Sequence, residues 1–193
     1  MKRICVYSGS NPGSKASYVE AAINLGKAMV ANGSELVYGG GSLGLMGRVA
    51  NAVMEHDGKA IGVMPRGLFR GELVHQNLTE LHEVETMHER KALMADLADG
   101  FIALPGGVGT FEELFEAICW AQIGLHQKPI GLLNVEGFFD PLMKMMEHSA
   151  KEGFMRASSL ELYIVEEDPQ VLLERMNSYT APVQQLKWTE LEK

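Results

Sequence analysis

The chain has 193 residues, 46% of them apolar, and a formal net charge of −8. That length and composition suit one α/β domain with a sizeable core. The acidic balance argues against a general nucleic-acid binder, which needs a cationic face, and no apolar run is long enough to cross a bilayer.

The opening MKRICVYSGS is a short apolar run ending in glycine and serine, so no secretory leader is expected. A first strand is predicted from Ile4 to Tyr7, followed by the loop Ser8-Gly9-Ser10-Asn11-Pro12-Gly13. Ala21, Leu25, Ala28 and Met29 then recur at helical spacing. A second strand, Glu35 to Tyr38, leads into Gly39-Gly40-Gly41-Ser42; a third runs from Ala60 to Met64 and a weaker fourth from Leu78 to Val84. The helix opened by Met87-His88-Glu89-Arg90-Lys91 has Leu93, Met94, Leu97 and Ala98 as its buried face. A fifth strand, Gly100 to Leu104, is followed by Pro105-Gly106-Gly107-Val108-Gly109-Thr110 and a helix marked by Leu114, Ile118 and Ala121. Strands from Pro129 to Leu133 and from Leu162 to Val165 close the series, with a last helix starting at Asp168-Pro169 and carrying Val171, Leu172 and Met176.

Repeated β-α-β units predict a Rossmann-like, doubly wound parallel sheet of about seven strands with helices on both faces. Residues 1–180 are expected to form one domain and residues 181–193 a C-terminal arm on the surface or against a partner subunit. Cys5 and Cys119 lack metal-ligand spacing and read as reduced core residues, which fits a cytoplasmic protein.

In such a sheet ligands bind where strands end, and three glycine-rich loops follow strands there. Each alone is a tight turn; together they form a backbone-lined anion site that includes Ser10, Gly41 and Gly106 through Thr110. The first loop lacks G-x-G-x-x-G spacing, and the Pro105 loop ends Gly109-Thr110-Phe111 without the Walker lysine, so neither loop matches a dinucleotide or triphosphate site. A monophosphate needs only a few amides and a cation or two. Thr110 and Glu113 have the spacing of a capping box; alternatively one carboxylate of the Glu112-Glu113 pair faces a sugar and stabilises an oxocarbenium-like centre. Arg90 either joins a surface salt bridge or reaches the crevice from the start of its helix, while His88 is expected on the surface.

Met87-His88-x-Arg90-Lys91 and Pro105-Gly106-Gly107-x-Gly109-Thr110-x-Glu112-Glu113 together resemble the LONELY GUY family of cytokinin-activating phosphoribohydrolases, whose bacterial members are often labelled "possible lysine decarboxylase". The resemblance extends through Gly39-Gly40-Gly41-Ser42-x-Gly44-Leu45-Met46-Gly47, Trp120-Ala121-Gln122, Lys128-Pro129 and Gly137-Phe138-x-Asp140-Pro141. It implies a homodimer with active sites near the interface, acting on plain or N6-substituted adenosine 5′-monophosphate. It implies Arg90 and Glu113 as the essential pair. Met87, Lys91, and Gly107, Val108, Gly109, Thr110 and Glu112 match substrate-contacting positions, and Glu72 matches another through a shorter motif. Val108 stands where many members carry tyrosine, and Cys119 where plant members carry threonine.

The mechanism this implies seats the 5′-phosphate on the Gly106–Thr110 amides with Lys91 or Arg90 adding charge. Glu113, kept ionised by Arg90, orients water at the anomeric carbon. The expected partner is a nucleoside monophosphate, without cofactor, metal, nucleic acid or membrane. A carrier of nucleotide or molybdenum cofactor on the same fold is the alternative. A decarboxylase is disfavoured because no lysine has a recognisable Schiff-base setting.

Overall fold

Apolar alternation along β1 sets the architecture. Ile4 and Val6 point into one apolar layer, and Cys5 and Tyr7 into the other. The computed structural model describes residues 1–67 and 74–182. Along them run β1 (Arg3–Tyr7), α1 (Ala16–Ala31), β2 (Glu35–Tyr38), α2 (Gly44–Glu55), β3 (Ala60–Pro65), β4 (Glu80–Val84), α3 (Met87–Leu97), β5 (Gly100–Ala103), α4 (Val108–Gln122), β6 (Ile130–Leu133), α5 (Asp140–Lys151), β7 (Tyr163–Glu166) and α6 (Pro169–Asn177).

The strands form one seven-stranded sheet in the order β4-β3-β2-β1-β5-β6-β7, and every pairing is parallel. The predicted fold class is therefore the observed one. Leu25 and Met29 of α1, Val49 and Val53 of α2, and Leu172 and Met176 of α6 cover one face. Met94 of α3, Leu114 and Ile118 of α4, and Met146 of α5 cover the other. Both faces are dry, which is why the central strands read as continuous apolar runs.

Strand order reverses between β1 and β5, which pair from Ile4↔Gly100 to Tyr7↔Ala103. The carboxyl ends there open a crevice at the switch point. Among the described residues, no helix is long and apolar enough to cross a membrane. Of the predicted arm, residues 183–193 lie outside the described residues.

Candidate active site

Three loops meet above the ends of β1, β2 and β5, backbone against backbone. Gly9 N donates to Pro105 O at 3.1 Å, and Gly9 O accepts from Leu45 N at 3.0 Å and Met46 N at 3.4 Å. Gly44 adopts φ +59° with its Cα against the Ser10 backbone, so a side chain there is excluded on both counts. The loops enclose a cavity of about 310 Å³ lined by Ser10, Asn11, Gly39, Gly41, Met46 and Arg90, among others. A second hollow of about 200 Å³ lies by Gly9, Ser10, Pro105, Gly106 and Gly107. Ser10 and Asn11 border both.

Arg90 reaches this crevice from α3. Thr86 caps that helix, its side chain accepting from Glu89 N at 3.1 Å, while Glu89 accepts from Glu85 N at 2.9 Å. One turn in, Arg90 is 8% exposed. Its Nε donates to Val63 O at 3.0 Å and its Nη1 to Glu113 Oε1 at 3.2 Å. A Cβ on Gly39 would collide with the Arg90 guanidinium, so glycine at that position makes room for it. Of the two readings of Arg90, the structure selects the buried ion pair at the crevice over a surface bridge.

The α4 start differs from the capping-box expectation. The N-cap is Gly107, with no side-chain cap bond. Thr110 sits inside the first turn, buried against Gly106. Glu113 is thus a turn too deep to cap the helix, and its oxygen goes to Arg90 instead. The T-x-x-E signature is realised at Thr86–Glu89, where the threonine does precede the helix. The amides of Val108, Gly109 and Thr110 lie ahead of the first α4 backbone bond, Phe111 N to Gly107 O at 3.0 Å. A Cβ at Gly107 or Gly109 would meet nothing, and Val108 is 83% exposed. The helix start therefore presents open backbone to the crevice mouth.

Glu113 is nearly buried, with 13% of its side chain exposed. Burial raises its carboxyl above the ordinary glutamate range; Arg90 pulls the other way, Glu112 adds repulsion and Lys91 attraction. Arg90 lowers this pKa, as expected of a neighbouring cation, but desolvation outweighs it and Lys91 together. Lys91 is half-buried between two carboxylates, pairing with Glu112 and with Glu116 at 2.8 Å. Burial alone would lower its ammonium, but these partners leave it raised.

The remaining candidates are placed unevenly. Met87 is exposed at the start of α3, and His88 is exposed as expected. Cys5 is buried, but Cys119 is exposed rather than in the core, because it falls on the outer face of α4 with Phe115. Glu72 lies outside the described residues. Sequence reasoning did not single out Asn11, Met64, the Val63 carbonyl or Glu116. Gly39 was visible only as part of a glycine run. Among the described residues, no group of three or more His, Cys, Asp or Glu side chains could hold a metal.

Comparison with known proteins gives the same segment a family context. Residues 46–176 match the family model described as "Possible lysine decarboxylase". The chain is 49% identical over 178 residues to the cytokinin riboside 5′-monophosphate phosphoribohydrolase LOG of Oryza sativa subsp. japonica, covering 92% of this chain and 74% of that protein. It is 44% identical over 190 residues to the same-named LOG3 of Arabidopsis thaliana, covering 98% and 88%. Among solved structures, the molybdenum cofactor carrier protein of Chlamydomonas reinhardtii superposes with a TM-score of 0.70 at 22% identity, over 92% of this chain and 99% of that one. DNA processing protein A of Streptococcus pneumoniae gives 0.59 at 13% identity, over 91% and 62%. At those identities the structural likeness speaks for the fold alone.

Proposed function

The chain belongs to the family of the cytokinin riboside 5′-monophosphate phosphoribohydrolases, and from that premise we propose that it hydrolyses the N-glycosidic bond of adenosine 5′-monophosphate, plain or N6-substituted. The products are the free base and ribose 5-phosphate. The observation that carries this reading is the buried Arg90–Glu113 pair beside an uncovered helix start in the switch-point crevice.

In the proposed mechanism, the 5′-phosphate rests on the amides from Gly107 to Thr110, where the α4 dipole favours an anion. Ser10 and Gly41 border the nucleoside, and the Leu43, Met46 and Met64 side chains of the cavity offer an apolar wall to the base. Met87, Val108, Glu112 and Glu72 are the further substrate contacts we propose. Glu113 faces the anomeric carbon. Water oxygen bonds to that carbon as its bond to the base nitrogen breaks, the electron pair leaving with the base. One water proton passes to Glu113, and the departing base takes its proton from solvent, to which Glu113 returns one. A carboxylate with a raised pKa is a stronger base at neutral pH, and its charge stabilises the cationic sugar. No step needs a metal or cofactor.

Two further proposals concern the whole protein. Val108, Phe115, Cys119 and Ile123 are exposed along one side of α4, an apolar stripe that suits an isologous contact in a homodimer. Free Cys5 and Cys119 suit a reducing cytoplasm, the compartment we propose. The decarboxylase description does not fit. Among the described residues, the half-buried lysines are engaged, Lys91 by carboxylates and Lys128 Nζ by Ala95 O at 2.7 Å, and a Schiff base needs a free amine.

The deciding experiment is a turnover panel of nucleosides and their mono-, di- and triphosphates, with base release and ribose 5-phosphate measured. Release from the monophosphate alone is the expected result. Tight binding of a nucleotide or pterin phosphate with no turnover of any member would sink the hydrolase reading and favour a carrier.

A further inference from the structure

The second hollow, of about 200 Å³, has no part in the chemistry above. It is lined by Gly106 and by Gly107, the N-cap of α4, so it adjoins the helix start, and it shares Ser10 and Asn11 with the larger cavity. Two aromatic rings also line it. Tyr18 comes from the first turn of α1 and Phe138 from the loop between β6 and α5, and the rings meet edge to face at 6.0 Å. Both rings are held in place. Gly13, at φ +78°, lies against the Tyr18 ring, where a Cβ would clash. Phe138 stacks on Phe111 of α4 at 6.3 Å and packs on Phe139, whose amide donates to the buried Asn134 Oδ1 at 2.7 Å. Beyond the lining, Lys15 pairs with Glu136 at 3.2 Å and joins the α1 start to the Phe138 loop.

Space and charge disagree in this hollow. Its volume is that of several waters at about 30 Å³ each, enough for a phosphoryl group. Yet none of the described residues lining it carries a charge. Two amides there are already spent, Gly9 N on Pro105 O and Leu45 N on Gly9 O. The side-chain donors at Ser10, Asn11 and Tyr18 are uncharged amide or hydroxyl groups. A phosphoryl group seated among them would exchange water for aromatic carbon and neutral donors, with no counter-charge to offset the loss. We propose that Tyr18 and Phe138 are specificity-determining residues: they form an uncharged aromatic wall beside the phosphate seat and, by withholding counter-charge rather than space, reject a second phosphoryl group, so that the site takes nucleoside monophosphates over diphosphates. The inference rests on the hydrolytic reading above for the seating of the 5′-phosphate on the α4 amides.

The test compares adenosine mono- and diphosphate as substrates of the parent and of Tyr18→Lys, Tyr18→Leu and Phe138→Lys. In the parent, kcat/KM should favour the monophosphate by at least about a hundredfold. Tyr18→Lys brings an ammonium to the wall on a helix that tolerates lysine. It should cut the preference by roughly tenfold or more, as one charge-assisted contact to phosphate does, and the gain should shrink as salt is raised. Tyr18→Leu removes the ring without adding charge and should leave the preference in place. Phe138→Lys repeats the test from the other ring, so that if thermal melts show one lysine variant to be unfolded the other decides.

A parent that cleaves the diphosphate as well as the monophosphate overturns the proposal. So does an equal gain in Tyr18→Leu, which would make the wall a steric stop, or no gain in the lysine variants. Calorimetric binding of the two nucleotides gives the same comparison without turnover. If the monophosphate binds and is not cleaved, the hydrolytic reading fails, while diphosphate binding gained by the lysine variants still upholds the wall. If the parent binds neither nucleotide, both fail.

Discussion

Glu113 is held in a setting that a purely structural glutamate would avoid. Its carboxyl is pushed up chiefly by burial, against the pull of Arg90. A carboxyl whose folded pKa exceeds its unfolded one favours the protonated form in the fold. Stability is then lost as pH rises from the ordinary glutamate range through the raised value, and at neutral pH the residue costs stability. Glu113→Gln should thus melt no lower than the parent at pH 7 and should lose about 10²–10⁴-fold in turnover. A variant that melts lower and keeps its activity would make the residue a structural brace. In the parent, the acid limb of kcat/KM should lie above the ordinary glutamate range. Gly109 offers a second test. It is helical, is absent from the left-handed glycines, and has open space where a Cβ would go. Gly109→Ala should stabilise the helix by up to about 1 kcal/mol, yet raise KM by roughly tenfold if a phosphate sits on that amide. Unchanged KM would move the phosphate elsewhere.

Helix starts show where local patterns mislead. T-x-x-E occurs at Thr86–Glu89 and at Thr110–Glu113, and spacing treats the two alike. Only the first threonine precedes its helix. The second follows a Gly-Gly pair that lets the chain turn a residue triplet earlier, so Thr110 enters the first turn and Glu113 rotates toward α3. Thr86→Ala should cost about 1 kcal/mol in a denaturant titration, as loss of a side-chain cap does; no cost would mean that Glu89 alone holds the turn. The strands were readable in proportion to their burial. β1, β2, β3 and β5 are dry on both sides and stood out as apolar runs. The edge strand β4 is largely exposed, with Glu80 and Glu83 outward, and its signal was correspondingly weak. At Cys119 apolar character was mistaken for burial, because the α4 outer face carries apolar residues too.

At the scale of the molecule, that outer face is the one on which the proposed dimer can be tested. Phe115→Lys should dissociate a dimer held through the α4 stripe, read as halved mass by light scattering at micromolar concentration. An unchanged mass would place any subunit contact elsewhere. The loops and their order at one sheet edge were legible because each follows a buried strand. The Arg90–Glu113 contact was legible only through the family resemblance, since 23 positions separate the pair and nothing local links them. The Glu116 ion pair was not legible at all, for its partner, Lys91, comes from another helix.

The Gly9 carbonyl, which accepts from Leu45 N and Met46 N, has one more consequence. It occupies the positive end of α2 with the chain's own oxygen, whereas among the described residues the α4 start keeps its backbone open toward the crevice. On the proposed reading a single terminal phosphoryl group is seated at the α4 start, while the extra charge of a polyphosphate tail would arrive at a pole already taken.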